Sequence, residues 1–70
     1  MTRIFKNKNG LTSEIIEQKG DYTLLHCQQT GQYIIAWKLG VDDWCQGYYF
    51  FAEYKEQAFE FFQEKTNAAA

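Results

Sequence analysis

Residues 22–39 read YTLLHCQQTGQYIIAWKL, and this stretch decides the fold. Both ends are rich in Tyr, Leu, Ile and Trp, and most of these residues favour strands. Thr30-Gly31 stands between the two arms as a two-residue turn. Counting outward from that turn sets Leu24 opposite Trp37, His26 opposite Ile35 and Gln28 opposite Tyr33. Leu25 with Ala36 and Cys27 with Ile34 then share the other surface. A third arm, residues 44–51, follows a loop from Gly40 to Asp43. That loop sets Trp44 opposite Leu39, Tyr48 opposite Ile35 and Gly47 opposite Ala36.

The register yields two unlike faces. Face A carries Leu24, His26, Tyr33, Ile35, Trp37, Leu39, Trp44, Gln46, Tyr48 and Phe50. Face B carries Leu25, Cys27, Ile34, Ala36, Cys45, Gly47, Tyr49 and Phe51. Ala36 beside Gly47 makes face B the finer-grained surface, the one a helix axis can approach closely.

Residues 53–65 are mostly good helix formers. At helical spacing Tyr54, Ala58, Phe61, Phe62 and Lys65 form one stripe, with Phe59 at its rim. Glu53, Glu56, Glu60 and Glu64 lie on the opposite side. The expectation is that Phe61 and Phe62 pack against face B. The N-terminal part has two readings. Residues 12–18 fit a short helix with Thr12 as N-cap, Leu11 and Ile16 as a staple and Gly20 as the stop. Asn9-Gly10 is instead a strong hairpin signal, which would lengthen the meander.

The expected fold class is therefore α+β. An antiparallel β-meander of three or four strands is packed on one face by a C-terminal helix, with a short N-terminal helix as one reading of residues 12–18. Residues 1–67 are read as a single small domain and 68–70 as a frayed tail or an expression remnant. At 70 residues such a domain has little stability to spare unless its core is rich. With aromatics at 19% of the chain, the core is the device it uses.

The bulk properties narrow the function classes. A formal charge of −2 offers no general attraction to phosphate backbones or anionic lipid. No apolar run approaches the roughly twenty residues of a membrane-spanning helix, and no signal-peptide pattern opens the chain. Two cysteines are too few for a secreted disulfide scaffold, so a cytoplasmic location is expected.

No residue pattern has a catalytic signature, and no catalytic residue, cofactor or metal is expected. His26 and Cys27 are adjacent on a strand and point to opposite faces. Cys27 and Cys45 share face B but lack further ligands for zinc, so both read as structural thiols. Asp42-Asp43 is read as a turn, its carboxylates bonding local backbone.

Face A is the chemically pointed feature. A sheet with one free face should alternate with polar residues, yet this chain reads apolar on both faces. Three covers are open to face A: the N-terminal segment, a second copy of the chain, or another partner. Aromatic residues concentrate in the desolvated centres of protein interfaces. The expected function is therefore non-catalytic protein binding, homodimeric or as a small modulator of a larger protein. Its surface would be Tyr33, Trp37, Trp44, Tyr48 and Phe50. The alternative is single-stranded nucleic acid stacked on the same rings, with Arg3, Lys6 and Lys8 as the basic flank.

Overall fold

The computed structural model describes residues 3–68. Five strands, β1 (Arg3–Lys6), β2 (Thr12–Lys19), β3 (Tyr22–Cys27), β4 (Tyr33–Leu39) and β5 (Trp44–Phe50), form one antiparallel sheet in sequence order. A single 3₁₀ turn (Ala52–Tyr54) leads into the helix α1 (Lys55–Ala68). The class is α+β with the helix on one face of a meander, which contains five strands rather than three or four. The helix reaches Ala68, the first residue of the stretch read as a tail. Residues 69 and 70 lie outside the described residues.

The additional strands come from the N-terminal part, where β2 replaces the short helix. Asn7 decides this locally. Its side-chain oxygen accepts hydrogen bonds from the amides of Asn9 (2.9 Å) and Leu11 (3.0 Å). Gly10 completes the reversal at φ 87°, a conformation costly for residues with a Cβ. β2 then pairs with β1 on one side and β3 on the other. A helix there would have left the outer edge of β3 unpaired. A bulge at Ile16 lets Ser13 and Ile15 stay in step with Cys27 and Leu25, while Glu17 pairs with Leu24.

The central hairpin is paired two residues away from expectation. Leu24 faces Ile35 and His26 faces Tyr33. The turn spans four residues, Gln28 to Gly31, because the Cys27 amide bonds the Gln32 carbonyl (2.8 Å) and Gly31 bonds back to Cys27 (2.9 Å). A shift of two preserves side-chain direction, so the faces survive the wrong count. The β4–β5 register agrees with the expectation at Leu39–Trp44, Ile35–Tyr48 and Ala36–Gly47.

The helix takes the other face. Phe62, 1% exposed, packs with Leu24 and Ile35, and Phe59 and Phe61 join Tyr22, Tyr48 and Phe50 around them. This is face A, not face B. Face B holds a second cluster of Phe5, Leu25, Cys27, Ile34 and Ala36, with Leu11, Ile15, Leu39 and Trp44 packed against it. Leu39 and Trp44 were expected on face A. Lys38, at φ 56°, interrupts the alternation, and the Leu39–Trp44 pair at the mouth of the hairpin turns inward over face B.

Trp44 also explains the helix's placement. It fills the hollow at Gly47, where an added Cβ would stand 2.6 Å from the indole Nε1. The small-residue hollow that suited a helix axis is occupied by a ring from the sheet itself.

Candidate functional site

The five expected surface aromatics do not form one open surface. Tyr33 is buried, stacked on His26 (centroids 4.5 Å, 20°) and edge-on to Phe59 (5.9 Å). Tyr48 and Phe50 meet Phe61 at 4.7 and 5.6 Å, and the Lys65 ammonium lies 5.4 Å from the Tyr48 ring centre. These three rings are the seat of α1. Trp44 is on the opposite face beside Phe5 and Tyr49. Trp37 is half-buried with Lys38 Nζ 5.1 Å from its ring centre.

The basic flank is likewise dispersed. Arg3 reaches Gln18 at 3.5 Å, Lys6 is exposed on β1, and Lys8 forms an ion pair with Asp43 at 2.8 Å. The Lys8 ammonium is held above its usual range, first by that hydrogen bond and then by the carboxylate charge. Asp43 is held below its usual range by the same bond and by the Trp44 amide. Asp43 also closes its loop by accepting from Gly40 at 2.7 Å through its backbone carbonyl, so it acts as a turn residue.

The thiols differ in setting. Cys27, at 3% exposure, sits under the Gln28–Gly31 turn. Burial alone would push its thiol up. Hydrogen bonds from the Thr30 hydroxyl, the amides of Thr30 and Gln29, and the Ser13 hydroxyl outweigh that and hold it below its ordinary value. The turn itself is clamped to Thr12, whose hydroxyl donates to Gln28 (3.0 Å) and accepts from Gln29 (2.8 Å). Cys45 is exposed on β5, and both thiols are free. His26 and Cys27 lie on opposite faces and do not converge. Among the described residues no group of three or more His, Cys, Asp or Glu is placed to hold a metal ion. A shallow concavity on the outer side of α1 is lined by Glu60, Gln63, Glu64 and Asn67.

What sequence reasoning missed is the edge of the sheet. Beyond β5, no strand is paired among the described residues. Its residues WCQGYYF contain no charge, nor do Phe51 and Ala52 after them. Tyr49 is 57% exposed and Phe51 63% exposed. Phe51, the residue after β5, has extended backbone (φ −64°, ψ 156°). The opposite edge is built differently: β1 is four residues long and two of them are Arg3 and Lys6. Short length and cations are what protect an edge from adding strands, and β5 has neither. The signal was present in the sequence as a nine-residue uncharged run ending the sheet.

No known family's sequence profile matches this chain, and no curated protein or solved structure is detectably similar to it. No helix of the described residues is long and apolar enough to cross a membrane.

Proposed function

We propose that this protein is a non-catalytic protein-binding domain that accepts an extended segment of another chain along the open edge of β5. The observation that supports this is the asymmetry of the two edges: β1 is short and cationic, whereas β5 is seven residues long and uncharged, carries exposed Tyr49 and is followed by exposed Phe51. An added strand gains main-chain hydrogen bonds from the edge, and alternate side chains give selectivity. This moves the expected interface away from the aromatic face, since α1 already covers Tyr33, Tyr48 and Phe50. A cytoplasmic setting belongs to the same proposal, supported by two free thiols, one of them exposed.

The test is site-specific photo-crosslinking in the cell of origin. A benzophenone side chain at Tyr49 is expected to form discrete adducts with a protein, whereas one at Glu60 on the outer side of α1 is not. No adduct from Tyr49, or the same adducts from both positions, would count against the edge.

A further inference from the structure

We infer that the strand received by β5 is β5 of a second copy, antiparallel about a two-fold axis, so that two five-stranded sheets become one of ten strands. This rests on the edge-binding role proposed above and adds the identity of the partner.

Charge selects this pairing over the others the two edges allow. β5 against its own copy sets no charged side chain opposite another, because residues 44–52 have none. β1 against its own copy, at full overlap, would set Arg3 directly opposite Lys6 of the partner subunit, a like-charge contact. β5 against the partner's β1 would be head-to-tail, leaving free edges that continue to add molecules. Only the β5 pairing is both uncharged and closed.

Full overlap of the seven residues places Gly47 on the axis. Cys45 then faces Tyr49 of the partner subunit, and Trp44 faces Phe50 of the partner subunit. Exposed Tyr49 of each copy adds its ring to the seam on either side of the axis, and Phe51 lies just beyond the overlap.

The area sets the strength. Large aromatic side chains each bury about 150–250 Å². At the exposures of Tyr49 and Phe51, two copies offer on the order of 500 Å² from these rings. Specific stable interfaces begin near 1,200 Å². The backbone edge and its flanking residues must supply the rest, so the interface lies at the small end of the specific range.

Sedimentation equilibrium of the purified chain, from micromolar to millimolar concentration, tests this directly. The mass is expected to rise from 8.3 kDa to a plateau at twice that value. Tyr49→Lys, which puts a charge on the otherwise uncharged edge, is expected to remain monomeric with an unchanged circular dichroism spectrum. Ile4→Lys on β1 is expected to dimerise as the wild type does. A monomer at every concentration, growth beyond two copies, or a Tyr49→Lys variant that still dimerises would each overturn the inference. A monomer in solution combined with a Tyr49 photo-adduct to a different protein would remove the second copy and leave the edge-binding role. Absence of any adduct from Tyr49 would remove the edge-binding role itself.

Discussion

Phe5 on the first strand and Trp44 on the last have ring centroids 5.9 Å apart. In a flat sheet four strand spacings would separate β1 from β5 by about 19 Å. The sheet is therefore curled, with face B on the inside. Two further contacts fasten the curl: the Lys8 amide bonds the Asp42 carbonyl at 2.9 Å, and the Lys8 side chain meets Asp43. This resolves the puzzle of a sheet that is apolar on both sides. The helix covers the outside, and the sheet's own edge residues fill the inside.

Gly47 is the position where the curl leaves no room. A Cβ there would stand 2.6 Å from Trp44 Nε1 and 3.2 Å from Tyr49 Cε1. Gly47→Ala is expected to cost about 1–3 kcal/mol, the range for overpacking a core. Trp44→Leu should relieve much of that cost, so the double variant should lose less than the two single losses combined. Urea midpoints of the four proteins measure the coupling. Strict additivity would show that Trp44 does not lie over Gly47.

How much of this was legible in the sequence follows from which forces are local. The positions of β3, β4 and β5, the β4–β5 register and the apolar stripe of α1 come from composition, turn residues and period, and were readable. The face assignment of β3 and of β4 from Tyr33 to Ala36 survived an incorrect central turn, because the error was an even number of residues, whereas Leu39 and Trp44 moved to face B. The helix's face was not readable. It depended on Trp44 occupying the Gly47 hollow, and Trp44 turns there because Lys38 has a left-handed backbone that no propensity announces. The candidate edge was hidden for a similar reason. Which strand ends a sheet depends on the N-terminal strands pairing with β3, and residues 12–18 also fit a helix.

Lys38 is accordingly a strained point. Its φ of 56° is rare for a residue with a Cβ, and the position is held by its amide's 2.8 Å bond to the Asp21 carbonyl. Left-handed backbone costs a non-glycine residue about 1–2 kcal/mol. Lys38→Gly removes that strain while losing the contact with Trp37, and is expected to raise the melting temperature. Lys38→Val, branched at Cβ, is expected to lower it. Thermal denaturation of the pair decides the matter, and a stabilised valine variant would contradict the left-handed backbone.

The Lys8–Asp43 pair predicts a pH and salt signature. The folded Asp43 carboxyl ionises at a lower pH than an unfolded one, so its contribution is complete above the ordinary carboxylate range, about pH 4. That contribution is lost as pH falls through the folded value. Lys8 is raised, so its contribution is present below the ordinary lysine range and lost as pH rises through the folded value. Lys8→Met keeps the backbone bond and removes the ion pair. Its melting temperature is expected to lie slightly below wild type at neutral pH and low salt. The gap should close in strong acid and in high salt, because both groups are exposed. A gap that persists through both would assign the difference to packing of the lysine stem.

Thr23 holds the least satisfied atom of the sheet. It is 0% exposed, sits between Gln18 and Ala36 in the strand pairing, and its hydroxyl has no hydrogen-bond partner. A buried polar group without a partner costs about 1–3 kcal/mol. Valine has nearly the same shape, and as a β-branched apolar residue it suits a central strand. Thr23→Val is therefore expected to raise the unfolding free energy by about 1 kcal/mol, with little change in the denaturant slope, as chemical denaturation would show. Thr23→Ser is the informative companion. It keeps the hydroxyl but deletes a buried methyl, and should be less stable than wild type. If valine instead destabilised the fold while serine did not, the hydroxyl would have a partner, and a buried water between β3 and its neighbours would be the natural one.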